Sequence, residues 1–442
     1  MIVSLRCENF RCFKDSKTIE LAPLTLLFGE NNSGKSAIIQ ALHLPAHTLQ
    51  SEGKETPLAL AGMNYDYGSY SDVVFRHDEN ERITFSYGIL SPLREKKQRL
   101  FVLRVDYGYL PRRREIYLNS LIIEDSEGEI IRILYNEYTS SIKSMYLRSV
   151  DSKDLSYFSR LISRYYFLFE PIHGPYETQM RLRRKYGKEL GEKLFEDLID
   201  VLSINRDFSR CFGRTHHLGP LRIPARRTLL YTGSSFTGEV GSKGEITLQN
   251  YSALLKRRKK EDKKKINLIN SALYRLGFIK KFEIYPIGTR HYEFWTRHSV
   301  SMLRANLADT GFGTSQVLPV LFSLYATPED STLLYEQPEI HLHPAAQAEL
   351  GSVFAEACSP RKRIIIETHS ENLILRIQTE LAKGNLKPKD VRVYYIQPKK
   401  GGHRVINLPL NEKGEFLKKW PKGFFEEGYK ESLKLIRAQA KS

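Results

Sequence analysis

The chain has 442 residues, 41% hydrophobic and 27% charged, an ordinary globular composition that excludes a wholly disordered protein. Lys plus Arg is 68 against 51 Asp plus Glu, and the formal net charge of +17 favours a polyanionic partner such as nucleic acid or nucleotide phosphate. Four scattered cysteines without a CxxC pair argue against a zinc knuckle or a disulfide framework, and no apolar run reaches the ~20 residues that span a bilayer. The polar start, Met1 to Asn9, does not read as a signal peptide, so the expectation is a cytoplasmic protein with no membrane segment.

In chain order, residues 2–10 and 17–28 read as strands that end at a Gly-rich loop. Leu24 to Phe28 lacks apolar alternation, as expected of a strand covered on both faces. A helix should follow the loop, with Ile38, Ala41 and Leu42 on its apolar face and Pro45 at its end. Residues 46–300 read as an insertion: strand-like over 72–90, 99–110 and 115–137, then helical and basic near 156–212. A Gly/Ser-rich loop from Gly233 to Gly244 precedes a second helical stretch, 248–276, and strands near 281–287 and 291–297. Residues 301–397 return to strand–helix alternation, with short apolar strands at Thr332–Tyr335 and Arg363–Ile366, which implies a parallel α/β sheet. A hairpin and a helix are expected over 391–438.

Gly29-Glu-Asn-Asn-Ser-Gly34-Lys35-Ser36 matches GxxxxGK[ST] between a predicted strand and a predicted helix. Backbone N–H groups through Asn31, Asn32 and Ser33 and at the helix start can face phosphate oxygens. Gly29 and Gly34 permit the close approach, Lys35 brings a point charge to the β/γ-phosphates, and the Ser36 hydroxyl suits Mg²⁺. ATP and Mg²⁺ are therefore the expected cofactors. No NKxD-type base-reading motif accompanies the loop, which argues against a GTPase.

Late in the chain, Thr332-Leu-Leu-Tyr-Glu336-Gln337-Pro338-Glu339-Ile-His341-Leu-His343 is an apolar strand ending in acid, where a second Mg²⁺-organising carboxylate is needed. Gly311-Phe-Gly-Thr-Ser315-Gln316 lies upstream and Glu367-Thr-His369-Ser370 downstream. With Asn9-Phe10-Arg11-Cys-Phe13, these segments resemble the ABC-type ATPase heads of the RecF/SMC/OLD clan, specifically the stand-alone prokaryotic AAA family ATPases. Trp420 to Glu426 is similar to that group's ending, and within the insertion only Leu218-Gly-Pro-Leu-Arg222 has a counterpart. The resemblance implies an α/β P-loop NTPase with an ABC-type two-lobed head formed by residues 1–45 and 301–442, and an α+β insertion at 46–300.

Carried over by position, the resemblance makes Glu336 the Walker B acid and a Mg²⁺ ligand with Ser36, and brings His369 to the γ-phosphate or the attacking water. Ser315 and Gln316 would reach ATP held by a second subunit, with Arg11 or Phe13 near the base. The chain departs from the family at Gln337, where a water-activating glutamate is usual. An amide can orient water but cannot take its proton, so slow hydrolysis is expected, with Glu339 able to compensate if the strand end bends toward the nucleotide. His341 and His343 share a face with Glu339, yet no further ligands have metal-site spacing, and a hydrogen-bonding cluster is the favoured reading.

Basic clusters at Arg94–Arg99, Arg112–Arg114, Arg181–Lys185 and Lys256–Lys265, interleaved with Tyr and Phe, make the insertion a candidate for salt-dependent nucleic-acid contact. Only ~70 residues follow His369, too few for the Toprim nuclease domain of OLD-type proteins. A nuclease or other effector would then be a separate partner. The expectation is an ATP-gated homodimer or higher even oligomer, with antiviral defence or DNA maintenance implied by resemblance alone. A non-hydrolysing scaffold, a nucleic-acid-binding module and a transporter ATPase subunit are the competing readings.

Overall fold

The computed structural model describes residues 1–419 except for 52–55, 63–64, 93–97, 138–141, 148–161, 166–167, 172–174, 231–235, 258 and 299. The chain opens with β1 (Ile2–Phe10), β2 (Phe13–Asp15), β3 (Ile19–Glu20) and β4 (Leu24–Gly29), then α1 (Lys35–Gln50) and the short α2 (Tyr70–Val73). Five strands follow: β5 (Ile83–Pro92), β6 (Gln98–Leu110), β7 (Glu115–Asp125), β8 (Gly128–Tyr135) and β9 (Ile142–Leu147). Next come β10 (Ile162–Tyr165), β11 (Leu168–Pro171), α3 (Pro175–Tyr186), α4 (Lys188–Gly213), β12 (Thr215–Leu218) and β13 (Thr228–Leu230). The sequence continues through α5 (Thr247–Lys256), α6 (Lys260–Arg275), β14 (Ile279–Ile287), β15 (His291–His298), β16 (Arg304–Asn306) and α7 (Phe312–Ala326). It closes with β17 (Thr332–Glu336), α8 (Pro344–Ala357), β18 (Arg363–Glu367), α9 (Glu371–Ala382), β19 (Val391–Gln397) and β20 (Arg404–Asn407).

This is a mixed α/β P-loop fold. A six-stranded sheet runs β12-β17-β18-β4-β19-β20, parallel except at the β19–β20 hairpin. β4 lies between two parallel neighbours and all six of its residues are buried, which is why its apolar run does not alternate. Its side chains still alternate between two cores. Leu27 joins Leu334 and Ile365 against α1, whereas Leu24, Leu26 and Phe28 join residues of α7, α8 and α9. All five parallel strands therefore deliver their C-terminal ends to one edge, where ligands bind in open α/β sheets.

An antiparallel sheet, β2-β1-β5-β6-β7-β8-β9 with β3 on β1, packs over the face that carries α1. Residues 17–28 are thus not one strand. β3 pairs with β1, and after Pro23 the chain enters the other sheet as β4. Residues 46–300 supply β5–β9 to the sheet of β1 and β12 to the parallel sheet. The stretch near 156–212 contains the β10–β11 hairpin ahead of its two helices, and the helix expected at the end of 391–438 lies outside the described residues. Among the described residues, no helix is long and apolar enough to cross a membrane.

Pro45 does not end α1, which continues to Gln50. Proline has no N–H to give the carbonyl four residues back, and that carbonyl belongs to Ala41. Tyr87, from β5, donates its hydroxyl to Ala41 O at 2.8 Å in a buried site, so the missing helical bond is replaced from a distant strand. Tyr87→Phe should destabilise the protein by about 1–2 kcal/mol in urea unfolding, because it strands a buried carbonyl. A change under about 0.3 kcal/mol would mean that the helix tolerates the proline unaided.

Candidate functional site

The loop from β4 to α1 is built on two glycines. Gly29 has φ 151° and Gly34 φ 99°. A Cβ on Gly29 would lie 2.5 Å from Ser33 Oγ and 2.6 Å from Ile396 O, and one on Gly34 would lie 2.3 Å from Cys12 Sγ. Neither position accepts a side chain without moving its neighbours. The N-terminus of α1 has no side-chain cap and no acid in its first turn, so its amides remain available to an anion. Lys35 is buried and donates from Nζ to Gly29 O (3.1 Å) and Glu30 O (2.8 Å), and burial lowers its pKa. Ser33 Oγ is buried with no hydrogen-bond partner among the described residues. A loop of converging donors, an orphaned hydroxyl and a desolvated ammonium fit a polyphosphate.

The acids come from the ends of β17 and β18. Glu336 is in register with Glu367, and β18 is the strand next to β4. Glu367 therefore meets the loop directly: its Oε2 accepts from Ser36 Oγ at 2.8 Å. Burial, and then the charge of Glu336, push the Glu367 carboxyl up to about 7. A carboxylate bonded to a serine hydroxyl, with a second carboxylate in register on the next strand end, forms an all-oxygen set suited to Mg²⁺. The direct acid partner of Ser36 is thus Glu367 rather than Glu336. Glu336 Oε1 lies 2.6 Å from His217 Nε2, whose Nδ1 is 3.3 Å from the Tyr65 hydroxyl.

These groups open on a cleft of ≈ 840 Å³ lined by Asn31 to Ala37, Arg11, Gln40, Gln337, Glu367 and His369, with Asp72, Val74, Arg76 and His77 on a further wall. Gln337 holds a left-handed backbone (φ 45°), and its N–H donates to Glu367 O at 2.8 Å. Burial and the charge of Lys35 lower the pKa of His369, which favours the neutral imidazole. Arg11 donates to Gln40 Oε1, Asp72 O and Tyr67 O, so its guanidinium is part of the cleft wall.

Four of the candidate residues make contacts within their own chain. Glu339 is buried and accepts from Thr368 Oγ1 (2.5 Å) and His369 N (3.0 Å), so it holds the turn carrying His369 and is not among the residues lining the cleft. Phe13 is fully buried beneath Gly34 and cannot touch a base. Gln316 is 1% exposed and its amide donates to Arg222 O, while Ser315 is 9% exposed and donates to Phe312 O within its own helix. Both side chains are thus buried within their own chain; the exposed part of that loop is Ala308 to Phe312, except for half-buried Thr310. His343 caps α8 through Ala345 N, and His341 packs edge-on against Phe312.

Sequence reasoning missed His217 and gave Glu367 no catalytic or metal role. It noticed Leu218 to Arg222 without giving Arg222 a task. Arg222 is buried and donates to Glu336 O (2.9 Å), Gln337 O (3.2 Å) and Gln316 O (3.3 Å), tying the end of β17 to α7. A buried-charge position inside an otherwise apolar Leu-Gly-Pro-Leu run was the available signal.

With this geometry in view, the model of the AAA ATPase domain family matches residues 1–374. The chain belongs to that ATPase family. A second model, described as a protein of unknown function (DUF3696), matches residues 386–435 of this AAA ATPase. Among curated proteins, none matches it. Solved structures similar to the ATPase include a SmcHead bound to the C-winged helix domain of ScpA (13% identity, TM-score 0.44, 92% of this chain and 98% of the other). Another is an Smc head domain with an extended coiled coil bound to the C-terminal domain of ScpA, derived from Pyrococcus furiosus (12% identity, TM-score 0.43, 99% of each chain). A third is the SMC head domain from Thermotoga maritima (10% identity, TM-score 0.38, 92% and 99%). At such scores the likenesses carry no functional weight.

Proposed function

We propose that the protein binds Mg·ATP in the cleft above α1, hydrolyses it slowly, and uses it to join two copies head-to-tail as a switch for a partner effector. The observation that carries this reading is the meeting of Ser36 with Glu367 at 2.8 Å, in a cleft shared with Lys35, Gln337 and His369. The loop amides and Lys35 hold the phosphates. Ser36, Glu367 and Glu336 hold the cation, which when bound neutralises charge on the phosphate oxygens. The Gln337 amide oxygen orients water by accepting one of its hydrogens but does not take the proton, and His369 faces the terminal phosphate as a neutral donor.

The second copy would present the exposed tip Ala308–Phe312, whose helix α7 begins without a side-chain cap or acid. Its backbone amides, rather than Ser315 and Gln316, would complete the neighbouring site. Sedimentation velocity tests this. The wild type should pass from monomer to dimer on adding Mg·ATP. Gly311→Asp, at a position where a Cβ meets nothing within 4 Å, should keep ATP binding but remain monomeric, because it places a carboxylate against phosphate. A wild type that stays monomeric at saturating Mg·ATP would refute the two-copy site.

Nucleic acid is a second expected ligand. Lys259, Lys260, Lys263 and Lys264, at the start of α6, are exposed and form no ion pair among the described residues. Binding there would weaken steeply with salt.

A further inference from the structure

The turn between β19 and β20 reaches the phosphate loop from the far end of the chain. His403 Nδ1 lies 2.7 Å from Ser33 O, and a carbonyl can only accept, so Nδ1 carries the proton and donates. The backbone N–H of His403 donates to Cys12 O at 2.9 Å. Its ring meets Phe13 edge-on at 6.3 Å between centroids. Arg76, which also lines the cleft, donates to Lys400 O at 3.2 Å. One turn thus touches the phosphate loop, the Cys12–Phe13 segment and a further cleft-lining residue, Arg76. It lies within residues 386–435, beyond the stretch matched by the ATPase family model.

We propose that His403 is a positioning residue for nucleotide binding: by gripping Ser33 O, it fixes the Ser33–Gly34 peptide so that the Gly34 N–H faces the phosphates. The reasoning rests on peptide geometry. A trans peptide is planar, and its C=O and N–H point in opposite directions, so holding the oxygen sets the aim of the hydrogen. This peptide needs holding. Gly34 has no Cβ to restrict it and sits at φ 99°, a conformation glycine leaves readily. Below it, Cys12 Sγ and Phe13 fill the space that a side chain would take, which keeps the loop from sinking. Above it, His403 holds Ser33 O, and the Ser33 hydroxyl is itself without a partner among the described residues. Without His403, the peptide is free to rotate and turn its carbonyl oxygen toward the incoming phosphate, which would repel it. The turn around His403 thereby becomes a place from which the C-terminal part of the chain can set ATP affinity.

This inference rests on the nucleotide reading of the cleft, and its test separates the two. Mg·ATP is titrated calorimetrically into the full chain carrying Lys35→Ala, His403→Ala, His403→Phe or His403→Asn. Phenylalanine keeps the ring contact with Phe13 but lacks the donor. Asparagine loses the ring but can place an amide N–H near the Nδ1 position. His403→Ala and His403→Phe should each weaken binding by about tenfold, and His403→Asn by no more than about threefold. In turnover assays the loss should appear in KM rather than in kcat, as expected of a residue that prepares the loop and does not touch the reacting atoms. If Lys35→Ala loses binding while His403→Phe binds as the wild type does, the role of His403 is overturned and the nucleotide reading stands. Should Lys35→Ala bind normally, the nucleotide reading fails first. If His403→Ala does not fold, the asparagine–phenylalanine comparison decides, and equal weakening in both would overturn the proposal.

Discussion

Gln337→Glu should raise steady-state ATP turnover by about a hundredfold, the lower end of the range expected when a general base is supplied where there was none. The backbone at this position is fixed from both sides: its N–H donates to Glu367 O, and its carbonyl accepts from buried Arg222. An isosteric change of amide to carboxylate therefore leaves the side chain aimed into the cleft it lines. A carboxylate can accept the proton of the water that the amide only orients. The opposing effect is charge, since a third carboxylate joins Glu336 and Glu367, and Glu367 is already pushed up to about 7 by burial and by its neighbour. Bound Mg²⁺ offsets that repulsion, so the gain should appear at saturating Mg²⁺ and shrink as the cation is withdrawn. Phosphate release under those conditions is the measurement. Turnover unchanged or reduced in Gln337→Glu would place the rate limit outside proton removal.

The phosphate loop was readable because everything it needs is local: two glycines, a lysine, a serine, and the strand and helix on either side. The same holds for β17 and β18, whose short apolar runs have no other use than a buried parallel sheet. What could not be read depends on residues far apart in sequence. Pro45 ends a helix by any local rule, but Tyr87, 46 positions beyond Ala41, supplies the missing bond. Ser315 and Gln316 look like presented polar side chains until Arg222, 94 positions before Gln316, is seen to hold Gln316 inward. Glu339 has the spacing of a second base, yet Thr368 and the His369 amide capture it from the adjacent strand end. Glu367 shows the converse. Its position after an apolar strand gave it no special claim, and only the order β17-β18-β4 puts it, rather than Glu336, beside Ser36.

The remaining expectation of large effect concerns Lys35, whose ammonium rests on the carbonyls of Gly29 and Glu30 where phosphate oxygens would replace them. Methionine preserves much of the length and the apolar packing of that side chain and removes only its charge and donors. Loss of two charge-assisted hydrogen bonds corresponds to about 3 kcal/mol, or roughly a hundredfold in affinity. Calorimetric titration of Mg·ATP into wild type and Lys35→Met is accordingly the most direct measurement. One site per chain in the wild type, with affinity reduced about a hundredfold or more in Lys35→Met, is the predicted result. Equal affinities in the two proteins, or no heat of binding in the wild type, would contradict a magnesium–triphosphate site between α1 and the ends of β17 and β18.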